Sequence, residues 1–175
     1  MKQYKFSTEE IKKLGRKMVI LVDSREKENQ HILTYFHKQK IVCKKEKLDF
    51  GDYSFYIPAT AAGEDIYFHQ DIVIERKASL EELSGNLTQK REQFEKEFLT
   101  ARNNGSKIYL MIEAPEGYSG IAAHHYRTEF TPAAYMASLK TWESRFNCNV
   151  QFIDRQFSGY YIFSTFYYFC RETLK

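Results

Sequence analysis

The chain of 175 residues has few cysteines, little net charge and no long apolar segment. Its cysteines, Cys43, Cys148 and Cys170, are odd in number and scattered, so they form neither a disulfide framework nor a Cys-x-x-Cys metal site. This usage predicts a reducing cytoplasm. Residues 1–17 are charged and lack the apolar region of a signal peptide, and no apolar run approaches the length of a membrane span. The formal net charge of +3 means that polyanion binding would depend on local clusters of basic residues.

What is present is enough apolar sequence for one globular core. Hydrophobic residues make up 43% of the chain and charged residues 28%, which excludes wholesale disorder. No internal repeat, low-complexity segment or linker divides the chain, so we expect residues 1–175 to form a single domain with residues 1–16 as a polar N-terminal lead-in. The many aromatic residues, 13 Tyr and 14 Phe, indicate bulky packing or an interface.

The order of apolar segments predicts an α/β fold. Continuous apolar runs typical of buried strands lie at 18–22, 72–74 and 108–112, and strands of weaker pattern lie at 41–48, 53–57 and 149–153. Helical patterns cover 28–39, 79–103, 131–145 and 157–174, a short capped helix follows Ser7, and loops are expected at 58–65 and 114–130. This order predicts a three-layer sandwich in which a mixed central sheet has helices on both faces.

The segment 51–77 carries the strongest functional pattern. It begins with Gly51 and Asp52 and ends in I-V-I-E-R-K, with room between them for the chain to return as a neighbouring strand. The carboxylates of Asp52 and Glu75 would then reach one cation, with the ammonium of Lys77 beside it. Such charges usually form a solvated edge, but here they follow a buried apolar run, where unpaired charge is costly. The pattern predicts hydrolysis of a phosphodiester assisted by Mg²⁺.

Two further carboxylates follow buried strands, where sites collect in open α/β sheets. Asp23 either caps the next helix or joins the site, and its place before Arg25 and Glu26 favours the site. Glu113 is expected to face solvent at its strand end, and only the geometry of the sheet could bring it close to the site.

Three motifs in this order resemble the nuclease domain of the XPF-type structure-specific endonucleases, a branch of the PD-(D/E)xK restriction-endonuclease-like superfamily. They are V-D-S-R-E at 22–26, L-D-F-G-D-Y at 48–53 and V-I-E-R-K at 73–77, matching the family signature G-D-Xn-E-R-K-x-x-x-D. The last signature position is Glu81 here and not Asp. The similarity continues through R-x-x-F-x-x-E at 91–97 and the strand I-Y-L-M-I-E.

The resemblance implies a restriction-endonuclease-like fold and a Mg²⁺-dependent endodeoxyribonuclease in which Mn²⁺ can replace Mg²⁺. It implies metal ligation by Asp52 and Glu75, with Asp23 as a further ligand or a water-mediated contact, and Lys77 as the catalytic lysine. It also implies site residues that organise the carboxylates or meet phosphate, namely Arg25, Glu26 and Arg76.

The implied substrate is branched or junction DNA such as flaps, forks or Holliday-type structures. The family's tandem helix-hairpin-helix module is not expected in this chain, which resembles a solitary bacterial or phage version, cytoplasmic and nucleoid-associated. The alternative is a catalytically silent nucleic-acid-binding or scaffold subunit.

Three other groups of residues have two interpretations each. Arg91 either pairs with Glu95 or, with Lys90 and Arg127, contacts DNA. The lysines between 38 and 47 form a solvated strand edge or track a DNA backbone. The C-terminal helix is apolar on nearly every side, so it is either buried in the monomer or forms a homodimer interface, as relatives in the family do, through Tyr161, Phe166 and Phe169.

Overall fold

The computed structural model describes residues 6–175, which divide into two compact units. Unit 1 comprises the described residues 6–48, 53–69 and 159–175, and unit 2 comprises residues 49–52 and 70–158. Residues 1–5, the first part of the expected lead-in, lie outside the described residues. None of the described helices is both long and apolar enough to cross a membrane.

The described part of unit 1 is a mixed sheet with its helices. Strand β1 (Val19–Asp23) pairs in parallel with β2 (Cys43–Glu46) and antiparallel with β3 (Tyr53–Ile57), and β3 pairs antiparallel with β4 (Ile66–Tyr67). The helices are α1 (Thr8–Arg16), α2 (Gln30–Lys38), α3 (Ala59–Ala62) and nearly all of α8 (Ser158–Thr173). All of β1 is buried, whereas β2 is largely exposed, as their sequence patterns predicted.

Helix α1 replaces most of the expected polar lead-in. The Ser7 side chain accepts a hydrogen bond from the backbone N–H of Glu10, and the Glu10 carboxylate accepts one from the backbone N–H of Ser7 at 2.7 Å. This reciprocal pair is a capping box, which satisfies N–H groups that a helix start otherwise leaves unpaired. Ile11 and Leu14 bury the apolar face of the helix. The predicted short capped helix is therefore confirmed.

Aromatic side chains from β3 and α8 form the core of unit 1. Phe55 stacks on Phe68 with ring centroids 4.5 Å apart, and Phe166 lies 5.2 Å from Phe55. Phe166 is fully buried, so its predicted place on a dimer surface is wrong, because the ring fills the core of its own unit. Phe169 contacts Phe55 and Phe68 edge-on and keeps part of its surface exposed, as does Tyr161. The interface role of these last two residues stays a prediction.

Unit 2 contains three described strands, all parallel, in the order β5 (Ile72–Lys77), β6 (Lys107–Ile112) and β7 (Cys148–Phe152). Parallel neighbours need crossover connections, and helices supply them. These helices are α4 (Leu80–Leu87), α5 (Arg91–Asn103), α6 (Gly117–Ala122) and α7 (Pro132–Phe146), and a 3₁₀ turn spans Arg155–Phe157. Because β1 and β5 are buried along their whole length, both faces of each strand are covered. The predicted α/β class with a mixed sheet and helices on both faces is confirmed.

The core of unit 2 surrounds Trp142 on α7, which is fully buried. Its ring lies 5.9 Å from Phe94, 6.3 Å from Phe98 and 5.2 Å from Phe146, measured between centroids. Leucines of α4 join the same cluster, as the predicted apolar stripe requires.

Two expectations about this unit differ from the structure. The predicted helix at 79–103 is two helices, α4 and α5, because Thr88 ends the first: its hydroxyl donates to the Ser84 carbonyl at 2.8 Å and its N–H bonds to Gly85. The predicted loop at 114–130 contains α6, whose Gly120 allows close approach to Leu80. In unit 1, likewise, the expected loop at 58–65 contains the single turn α3.

Candidate active site

Asp52 lies against the backbone of β5, directly beside the E-R-K segment. Its N–H donates to the Ile74 carbonyl at 2.9 Å, and its Oδ2 accepts a hydrogen bond from the Arg76 N–H at 2.8 Å. The approach depends on Gly51, which has a φ of +74° and passes so close to β5 that a Cβ there would lie 2.8 Å from Val73 Cβ. Only glycine combines this backbone angle with this proximity. The G-D pair thus sets the carboxylate against the strand.

Glu75 and Lys77 point to the same face of β5, because side chains two residues apart on a strand share a face. Lys77 Nζ lies 2.8 Å from Glu75 Oε1 and 3.7 Å from Glu82 Oε1. It also lies 5.0 Å from the centroid of the Phe94 ring, a cation–π contact. Both Glu75 and Lys77 are buried, so the ammonium is held by fixed neighbours and not by solvent. Sequence reasoning missed Glu82 and Phe94 as its neighbours.

The electrostatics of this cluster favour a bound cation. Burial lowers the pKa of Lys77, but the charges of Glu75 and Asp52, the hydrogen bond to Glu75 and the charge of Glu82 raise it by more, so the net shift is upward. Lys77 therefore stays protonated. The charges of the carboxylates therefore outweigh the cost of burying the ammonium group.

The donor set fits a hard divalent ion. Asp52 and Glu75 offer carboxylate oxygens, and Mg²⁺ binds through one or two carboxylates while keeping waters and taking phosphate oxygens. Among residues 6–175 there is no group of three or more His, Cys, Asp and Glu side chains arranged to hold a metal by themselves.

Arg76 points to the opposite face of β5 and forms a buried ion pair. Its Nε and Nη2 atoms each lie 2.9 Å from an oxygen of Glu113, a two-point contact between nearly inaccessible side chains. The expectation that Glu113 faces solvent is wrong, because this pairing and a hydrogen bond from Ser158 at 2.6 Å hold it inside unit 2. The buried run I-Y-L-M-I before it could have indicated this, as the similar runs did for Asp23 and Glu75.

Asp23, Arg25 and Glu26 belong to unit 1. Asp23 is buried, and its oxygens accept hydrogen bonds from the Arg25 guanidinium at 2.7 and 3.1 Å and from the Leu48 N–H at 2.7 Å. Burial raises the pKa of Asp23, but these hydrogen bonds lower it by more, so the carboxyl group is held ionised. Arg25 thus organises a carboxylate, Asp23, in its own unit. Ligation of a metal by Asp23 and a site role for Glu26 stay predictions.

A family model for the ERCC4 domain matches residues 22–164, which is most of the chain. The chain belongs to the ERCC4 domain family. The resemblance inferred from the motifs at 22–26, 48–53 and 73–77 is thereby confirmed. No curated protein matches the chain.

Solved structures share the fold of this ERCC4 domain. Two structures of XPF from Aeropyrum pernix, the second in complex with DNA, each match with a TM-score of 0.61. Their sequence identities are 15% and 14%, and the matches cover 85% and 88% of this chain. The chain spans 63% and 65% of the length of those XPF chains.

The basic residues predicted to contact DNA differ in their surroundings in this ERCC4 domain. Arg91 is partly buried, with Cζ 5.0 Å from the centroid of the Trp142 ring, and it is not the partner of Glu95, which pairs with Arg145. Arg127 is almost fully exposed, and its Nε lies 3.3 Å from Glu81, the last position of the signature. The structure therefore shows Arg91 in contact with Trp142, while DNA contact by Arg91, Arg127 and the exposed Lys90 stays a prediction.

Proposed function

We propose that this ERCC4 domain is a metal-dependent DNA endonuclease that hydrolyses phosphodiester bonds at branched or junction structures. The observation that carries the proposal is the cluster in unit 2, where Asp52 bonds to the backbone of β5 and the Lys77 ammonium lies 2.8 Å from the Glu75 carboxylate. Family membership supports a DNA nuclease. The complex of the Aeropyrum pernix XPF with DNA supports DNA as the ligand.

In the proposed site, Asp52 and Glu75 would hold Mg²⁺, which Mn²⁺ could replace. When bound, the ion supplies a Lewis acid next to the scissile phosphate. The backbone N–H of Arg76, 2.8 Å from Asp52 Oδ2, fixes the direction of that carboxylate.

Lys77 would act as a fixed positive charge. Since its pKa is raised, it does not accept a proton at neutral pH. It offsets the negative charge that grows on the phosphate oxygens as a water oxygen bonds to phosphorus. The attacking water releases a proton to solvent, the bond from phosphorus to the 3′-oxygen breaks, and that oxygen takes up a proton from solvent, so the products are a 3′-hydroxyl and a 5′-phosphate.

Cleavage assays with labelled flap, fork, four-way and linear DNA test this function. We expect branched substrates to be cut with Mg²⁺ or Mn²⁺ and none to be cut in EDTA. Asp52→Asn and Lys77→Met should lose about 10²-fold or more of the rate, as does removal of one group that stabilises transition-state charge. Lys96→Met, an exposed lysine of α5, is the matched control and should keep full activity.

A wild-type chain that binds branched DNA but leaves it intact in Mg²⁺ and Mn²⁺ would refute the proposal and favour the silent scaffold subunit. Full activity of Asp52→Asn would show that the proposed active site is wrong, although the chain would still be a nuclease. The single domain over residues 1–175 and the cytoplasmic, nucleoid-associated location stay predictions.

Homodimerisation through α8 is also part of the proposal. With Phe166 buried, the surface available on this helix consists of exposed tyrosines, Tyr160 at 57% and Tyr168 at 58% exposure, together with the partly exposed Tyr161 and Phe169. Exposed apolar groups clustered on one helix are typical of an interface. Sedimentation velocity over a concentration series should show a dimer, and a monomer at every concentration would contradict it.

A further inference from the structure

Glu113 contacts the E-R-K segment at two separate points. Its backbone N–H donates to the Lys77 carbonyl at 2.9 Å, continuing the pairing of β6 with β5. Its carboxylate binds the Arg76 guanidinium through two contacts of 2.9 Å. Glu113 therefore holds the segment at its backbone and at the Arg76 side chain, which lies on the face opposite Glu75 and Lys77.

The carboxylate of Glu113 is itself fixed by further donors. Ser158, fully buried, donates its hydroxyl to Glu113 Oε1 at 2.6 Å, and Arg155 Nε lies 3.9 Å from Oε2. Hydrogen bonds to an ionised group are short and strong, and two parallel N–H···O contacts fix the orientation of a guanidinium. The side-chain conformation of Arg76 is thus determined from outside β5.

Arg76, held in this way, also carries the backbone N–H that orients Asp52. The Arg76 N–H bonds to Asp52 Oδ2, while its side chain is held by Glu113. We expect a change at Glu113 that frees the Arg76 side chain to loosen the Arg76 N–H and, with it, the orientation of Asp52. A displacement of about 1 Å in a catalytic group can cost 10²-fold in rate.

Stability alone does not account for this arrangement. The net gain from a buried ion pair is small, since desolvation offsets the attraction, and apolar residues of similar volume often stabilise as well. The ion pair of Arg76 with Glu113, unlike a contact between apolar residues, fixes the orientation of the Arg76 side chain. We infer that Glu113, supported by Ser158, is a positioning residue that holds the Glu75–Lys77 segment and, through the Arg76 N–H, Asp52. The inference rests on the proposed nuclease function.

Glu113→Gln tests the inference, because it keeps the shape of the side chain and removes its charge. We expect kcat on a branched substrate to fall about 10- to 100-fold, the range for outer partners of metal-site groups. KM for DNA should stay within about twofold, since no DNA-contacting group changes. The Kd for Mn²⁺, measured by calorimetry without DNA, should rise by about tenfold or more. Glu129→Gln, an exposed glutamate, is the matched control.

Ser158→Ala gives a milder second variant, which removes one hydrogen bond and leaves every charge in place. It should lower kcat and Mn²⁺ affinity in the same direction by less than Glu113→Gln. All measurements are made below the unfolding transition of each variant, followed by circular dichroism, so that loss of fold does not count as loss of positioning.

Two results separate this inference from the proposed function. If the wild type binds Mn²⁺ without cleaving DNA, the proposed function fails, and the Mn²⁺ affinities of the variants still decide the role of Glu113. If Glu113→Gln and Ser158→Ala, both folded, match the wild type in kcat and Mn²⁺ affinity, Glu113 is only structural and the inference is overturned. A wild type that neither binds Mn²⁺ nor cleaves overturns both.

Discussion

Replacing Gly51 by alanine should damage unit 2 in two ways at once. The residue has a φ of +74°, which an L-residue adopts at a cost of about 1–2 kcal/mol. The new Cβ would lie 2.8 Å from Val73 Cβ, an atom next to the backbone of a buried strand, so it cannot move aside as the end of a flexible side chain can. Overpacking of this kind costs about 1–3 kcal/mol.

Gly105→Ala separates the two contributions. Gly105 is also in unit 2 and has a φ of +75°, but a Cβ there would meet no atom within 4 Å. We therefore expect Gly105→Ala to lose about 1–2 kcal/mol and Gly51→Ala about 2–5 kcal/mol of unfolding free energy. The difference between the two variants isolates the contact with Val73.

Urea unfolding followed by circular dichroism measures both free energies, and Gly51→Ala/Val73→Gly completes a double-mutant cycle. Removing the whole Val73 side chain, including the Cβ that the new methyl group would meet, leaves room for it, so the double variant should be more stable than additivity predicts by about 1–3 kcal/mol. Equal losses in the two glycine variants, together with an additive cycle, would refute the close approach of residue 51 to β5.

Further substitutions test the roles that the structure gives to residues predicted at interfaces. Phe166→Ala should lower the unfolding free energy by about 3–5 kcal/mol, because it empties a core position, while exposed Tyr168→Ala should change it by less than about 0.5 kcal/mol. Arg91→Met should cost about 0.5–1 kcal/mol of stability through its contact with Trp142. Arg127→Met should instead weaken DNA binding and make the plot of log affinity against log salt concentration shallower by about 0.9 for each phosphate that the arginine neutralises. An unchanged unfolding free energy of Arg91→Met would contradict the packing role, and a weaker DNA affinity at constant fold would show that Arg91 also contacts DNA.

Local patterns were enough to predict the elements whose causes are local. The Ser7–Glu10 box and the Thr131 cap of α7 act within three residues, so a short stretch of sequence contains both partners. The buried strands β1, β5 and β6 follow from runs of apolar residues in the same way. The G-D and E-R-K motifs add a family pattern that places Asp52 beside β5.

Interactions between distant residues were beyond such patterns. Glu113 binds Arg76, which is 37 positions away in the sequence, and Ser158, which is 45 positions away. Nothing near Glu113 in the chain identifies either partner. Arg91 similarly has a local candidate, Glu95, but a distant ring, that of Trp142, holds it. The break at Thr88 depends on which of several weak local hydrogen bonds forms, and the apolar stripe continues across it.

The buried indole of Trp142 has a practical consequence. It is the chain's one tryptophan, and it lies in unit 2, next to the Phe94 ring that contacts the Lys77 ammonium. Its emission therefore reports on the surroundings of that cluster without any dye or label, whereas the many tyrosines are spread over both units. Excitation at the red edge of the absorption band favours Trp142 over the tyrosines. Its fluorescence is therefore a built-in reporter for the unit that carries Asp52, Glu75 and Lys77.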